Sequence, residues 1–136
     1  MAISEATGSY VIDTHALKWY LLDEPQLGPG ASAALKLVEL GEAQLLIPAI
    51  VLAELVCVFE KKGKTLPIET VLQNVASNSN ILLVDLGLLQ LTTFEKLDPS
   101  LEMHDRLILA DALLSGATLI TKDRRLQSAG VVPTIW

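Results

Sequence analysis

A chain of 136 residues is the size of a single domain, enough to bury roughly two-thirds of the surface its unfolded form exposes. With 51% hydrophobic, 19% charged and only 4% aromatic residues, it reads as an aliphatic globular protein and not as a disordered one. The formal net charge of -6 excludes a protein whose whole surface grips nucleic acid by neutralising phosphates, leaving only local basic patches for such work. The first of these, Lys61, Lys62 and Lys64, complements a helix C-terminus that Gly63 ends. The second is Lys122, Arg124 and Arg125.

In chain order, residues 1–8 read as a flexible N-terminus and 9–136 as one domain. MAISEATGS lacks the charged, apolar and small-residue order of a secretory signal. The apolar run from Leu45 to Phe59 contains Pro48 and Glu54 and is too short to span a bilayer. A cytoplasmic protein without membrane attachment is therefore expected. Short aliphatic runs at Tyr10 to Ile12, Gln44 to Ile47, Ile81 to Val84, Ala117 to Ile120 and the closing PTI read as strands. Helical patterns fall at Thr14 to Leu22, Ala31 to Leu40, Ala49 to Lys62, Ile68 to Ser77, Leu86 to Lys96 and His104 to Ser115, with Pro25 to Gly30 as a loop. The lone cysteine, Cys57, reads as a small core residue of the third helix. Apolar strands alternating with helices predict an α/β fold with a mainly parallel sheet of about five strands covered on both faces. Such sheets bind ligands beyond the carboxyl ends of their strands.

Four acids stand out in that frame. Asp13 follows the first strand directly, where it serves either a site or the N-cap of the next helix. Glu54 is the only charge between Leu45 and Phe59, and apolar neighbours on most of the helix circumference leave it no ordinary solvated face. Asp105 lies in the first turn of a helix that is apolar nearly all the way round, a position the helix dipole also favours. Asp123 follows a late strand, and a turn role would suit it equally. Asp111, six residues after Asp105, is rotated about 240° from it and is expected on an exposed or subunit-facing stripe with His104. Carboxylates gathered from distant positions repel one another unless a cation joins them. An oxygen-only set suits a hard ion, Mg²⁺ or Mn²⁺.

YVIDTHALKWYLLD, IPAIVLAEL and HDRLILADALLSGATLITKDRRL, in this order and spacing, resemble the PIN-domain ribonucleases, and more closely the VapC-type toxins of toxin-antitoxin pairs. The resemblance covers nearly the whole chain after Gly8. It implies a three-layer PIN-like sandwich and an acidic quartet at Asp13, Glu54, Asp105 and Asp123 that holds the metal, with Thr121 as the accompanying hydroxyl. It also implies Mg²⁺-dependent cleavage of RNA by activated water, leaving a 5′-phosphate and a 3′-hydroxyl. Asp111 stands where the pattern has a small or hydroxyl residue. Arg106, Lys122, Arg124 and Arg125 are candidate phosphate contacts, with plain surface charge an equal reading. The implied partners are a cognate antitoxin and a second copy of the chain, with the surfaces near Trp19 and Tyr20 or Leu37 to Leu40 as contacts. The rival readings are a receiver-like phosphoacceptor domain using Asp85 and Lys122, and an inert PIN-like scaffold.

Overall fold

In the computed structural model, which describes residues 8–136, five strands form one sheet. They are β1 (Ser9–Ile12), β2 (Gln44–Pro48), β3 (Ile81–Val84), β4 (Thr118–Ile120) and β5 (Thr134–Ile135). The order is β3-β2-β1-β4-β5 and every pairing is parallel. Successive residues of a strand point to opposite faces. Val11 and Ile12, Leu45 and Leu46, and Leu119 and Ile120 are all buried, so the three central strands are covered on both sides. The edge strand β3 is not, since Leu82 and Leu83 are 43% and 37% exposed. The expected flexible segment lies, apart from Gly8, outside the described residues.

Seven helices cover the sheet: α1 (Thr14–Leu21), α2 (Pro29–Glu39), α3 (Ala49–Lys61), α4 (Ile68–Ala76), α5 (Leu88–Lys96), α6 (Met103–Ser115) and α7 (Arg124–Ala129). From β1 the chain steps outward through β2 to β3, then returns across the sheet to β4. Connections leaving β1 and β4 thus run in opposite directions, which opens a crevice at their carboxyl ends. A buried aliphatic set, including Leu17, Leu35, Leu55, Leu109 and Leu126, packs the helices onto the sheet. Among the described residues no helix is long and apolar enough to cross a membrane.

Several features depart from the sequence reading. Helix α2 starts at Pro29 rather than Ala31 because proline is pre-organised for the first helical position. The six-residue α7 was not expected; its signals are Asp123 as N-cap and Gly130 just past the end in the left-handed region, φ 66°. Cys57 is exposed and not in the core, because α3 turns the Ala53–Cys57 side outward while Val51, Leu52 and Leu55 face inward.

Asp111 departs furthest. It shares no exposed stripe with His104; only 7% of it is accessible, because α5 packs along α6 and covers that side. Among the described residues its buried Oδ1 atom has no hydrogen-bond partner. Burial pushes its carboxyl up from 3.8 to about 6, with the Gln90 side chain opposing the shift. The folded chain therefore holds this proton more tightly than the unfolded chain does. Folding loses stability as pH rises from about 4 to about 6. Asp111→Asn is expected to flatten that part of the stability-versus-pH curve and to stabilise the protein at pH 8, both measured by urea unfolding.

Candidate active site

The carboxyl ends of β1 and β4 are tied together by one hydroxyl. The backbone N–H of Asp13 donates to the Ile120 carbonyl at 3.2 Å, continuing the parallel pairing one residue past β1. The fully buried Thr121 then donates its hydroxyl to Asp13 Oδ2 and accepts from the Asp123 backbone N–H at 3.0 Å. Asp13 Oδ1 caps α1 by accepting from the Ala16 N–H at 3.0 Å. The capping and site readings of Asp13 thus describe one and the same placement. Burial raises the pKa of Asp13 and the nearby Asp123 charge adds to it, while the Thr121 and Ala16 hydrogen bonds work the other way.

Glu54 approaches from α3. Its Oε1 accepts from the Thr14 hydroxyl at 2.8 Å, and its Oε2 lies 3.7 Å from His104 Nδ1. The exception noted in the sequence, a charge in an apolar helix, is resolved by these polar partners. Asp105, in the first turn of α6, is raised by burial and then by the negative charges of Asp123, Glu102 and Glu54, against Arg125. Asp123 moves the other way. Burial opposes its ionisation, but hydrogen bonds from the backbone and guanidinium of Arg125 outweigh it and lower the pKa. Arg125 Nη2 stands 3.4 Å from Asp123 and 3.9 Å from Asp105.

All four acids line one cleft of about 520 Å³. Lys122 and Arg125 line it too, while Arg124 is exposed outside the lining. Arg106 is directed elsewhere: it donates to the Phe94 carbonyl at 2.8 Å and stacks on the Phe94 ring at 3.9 Å, closing the C-terminal end of α5. Thr14, His15 and Glu102 also line the cleft, and none was singled out from the sequence for this role. Their signal was position, since Thr14 and His15 follow Asp13 into the first turn of α1 and Glu102 is the N-cap of α6. Asp85 stands beyond edge strand β3, with β2 and β1 between it and Lys122 beyond β4. The pairing that a phosphoacceptor site requires is therefore missing.

A family model of the PIN domain matches residues 10–132. The chain belongs to the PIN-domain family. No curated protein sequence matches it. Among solved structures, the VapBC2 complex from Rickettsia felis bound to a promoter DNA fragment is similar, with a TM-score of 0.66 at 17% identity over 93% of this chain and 96% of that one. A toxin-antitoxin complex from Klebsiella pneumoniae gives a TM-score of 0.64 at 20% identity over 93% and 96%. VapBC-1 from nontypeable Haemophilus influenzae gives 0.63 at 16% identity over the same shares. At such identities these likenesses establish the fold.

PIN-domain nucleases generally use divalent metal ions, and the donors of this PIN domain suit one. Among the described residues no three His, Cys, Asp or Glu side chains already stand as a metal-binding group. A small hard ion does not need that, because it keeps several waters and takes one or two carboxylates together with substrate phosphate. Burial raises Asp13 and Asp105 first and the neighbouring negative charges add to it, and a cation would offset both costs. Thr121→Val leaves the Asp123 N–H unpaired and removes the donor to Asp13. It is expected to cost about 1–3 kcal/mol in urea unfolding and to raise the Asp13 pKa further, read by NMR titration of the carboxyl.

Proposed function

We propose that this PIN domain is a divalent-metal-dependent endoribonuclease, using Mg²⁺ or Mn²⁺, and the toxin of a toxin-antitoxin pair acting in the cytoplasm. One observation carries the reading: Asp13, Glu54, Asp105 and Asp123, more than a hundred positions apart at the extremes, line a single cleft at the switch point of the sheet. Four independent capping or surface roles would not require that convergence.

Asp13, Glu54 and Asp105 would hold the ion directly or through water, and Asp123 would complete the shell or serve a second ion. When bound, the ion supplies positive charge to the phosphodiester oxygens and lowers the pKa of the attacking water. The protein's own part is positioning. Thr121 fixes the Asp13 carboxylate against β4, and Thr14 fixes Glu54 against α1. Arg125, between Asp105 and Asp123, offsets their repulsion, and with Lys122 it lies in the cleft wall where an RNA phosphate would bind. Attack in line with the 3′-oxygen leaves a 5′-phosphate and a 3′-hydroxyl. Arg106, held on the end of α5, takes no part in this arrangement.

The toxin assignment is supported by the fold shared with the Rickettsia felis VapBC2 and Klebsiella pneumoniae toxin-antitoxin complexes. In this reading a cognate antitoxin covers the cleft to silence it, and the chain pairs with a second copy of itself.

Asp13→Asn is expected to lower Mg²⁺-dependent cleavage of total cellular RNA at least about 100-fold, the scale of losing a key electrostatic group, and a chelator to abolish wild-type cleavage. Equal activity of the two proteins, or cleavage undiminished by chelator, would sink the proposal in favour of an inert scaffold or contaminating nuclease. Independently of activity, millimolar Mg²⁺ should raise the melting temperature of the wild type, because the ion binds the folded state alone. Asp13→Asn should lose most of that rise.

A further inference from the structure

We propose that Trp19 and His15 form a stacking wall for an unpaired nucleobase beside the phosphate to be cut, an inference that rests on the endoribonuclease reading. The two residues are i and i+4 on α1, so they share one face of the helix, and that face lines the cleft behind Asp13. Their ring centroids are 5.8 Å apart, tilted by 43°. Trp136 meets Trp19 edge-on at 5.6 Å. It is itself wedged against the start of α2, where a Cβ on Gly28 would come within 2.6 Å of its indole. The Gly30 N–H donates to the Trp136 carbonyl at 2.7 Å. Both tryptophans of a chain that is only 4% aromatic thus meet at the rim of the acidic cleft. Trp136 braces Trp19 through this T-shaped contact, and Trp19 stays partly exposed on the cleft wall.

The occupant is set by chemistry. Lys122 Nζ sits 5.7 Å from the centre of the Trp19 ring, over its face, and Lys122 is exposed. An exposed ammonium on a flexible stem is readily displaced from a ring face by a base, and can then meet the adjoining phosphate. A substrate with both a flat aromatic face and a phosphate one bond system away is a nucleotide. Helical rise puts Trp19 about 9 Å along α1 from Asp13, near enough for the nucleotide next to the cleaved bond. The charge balance points the same way. A chain of net charge -6 with an acidic cleft gains little affinity for RNA from counterion release. Stacking on an aromatic ring is indifferent to that balance and tolerant of sequence. It also demands an unstacked base, so this wall selects single-stranded loops and ends over paired helices.

The test uses the full chain carrying Asp13→Asn, to bind without cutting, and oligoribonucleotides spanning the bond that the wild type cleaves in total cellular RNA. Tryptophan fluorescence should be quenched by the intact oligonucleotide and not by one made abasic at the nucleotide next to that bond. Adding Trp19→Ala should weaken binding of the intact strand by about 5- to 150-fold, the measured range for one stacked base, by the same factor at about 50 and 200 mM salt. The abasic change should cost Asp13→Asn that same factor and cost the Trp19→Ala form nothing more. His15→Ala, an exposed change, should give a smaller loss and guards against misfolding of the Trp19 variant. Losses that simply add, or an unchanged Kd with either variant, would overturn the inference while leaving the nuclease reading intact. If Trp19→Ala spares RNA binding but releases a co-expressed antitoxin, the wall belongs to the protein partner and the inference falls. Wild type that neither binds nor cleaves RNA overturns both, through the nuclease reading itself.

Discussion

The parallel pairing of β1 with β4, locked at its end by the Thr121 hydroxyl, is the contact on which the rest of the site depends. It joins positions 108 residues apart. Because Thr121 donates to one acid and accepts from the backbone of another, the orientation of Asp13 and the course of the chain into α7 are set by the same side chain. A hydroxyl is the smallest group that can do both, and at full burial it has no water to turn to.

From that anchor the cleft follows from topology. The two strands that meet there send their chains in opposite directions, so α1 and α7 diverge and leave a gap that α3 and α6 line from the side. Each acid enters with local support: a cap at Asp13, a threonine at Glu54, and an arginine between Asp105 and Asp123. These partners offset part of the cost of holding the carboxylates there, yet Asp13 and Asp105 are still raised, first by burial and then by neighbouring negative charge. A cation is the natural complement of such a cleft. Asp111, outside that cleft, shifts the same way, raised to about 6 by burial against the Gln90 side chain.

Much of this architecture was legible in the residues. All five strand runs were readable because each is short, aliphatic and bounded by turn or helix signals, and six helices because each is longer than any strand. The short α7 escaped because six residues are too few to show a period, although its caps at Asp123 and Gly130 were in plain view. Cys57 and Asp111 were misplaced for a shared reason. Helical rotation tells which residues share a face, but only the neighbouring element tells whether that face is covered, and α5 covers the Asp111 side of α6 while Cys57 on α3 stays exposed.

The division between the two levels is therefore physical. Sequence alone determined the fold class, the strand ends where Asp13 and Asp123 would sit, and the anomaly of Glu54, since these depend on periodicity and on the cost of an isolated charge, which are local properties. Tertiary structure alone decided that Arg106 turns to the end of α5, that Thr121 bridges two acids, and that His15, Trp19 and Lys122 stand together at the rim. Those outcomes depend on directions of side chains from elements far apart in the chain, and such directions exist only once the strands have paired.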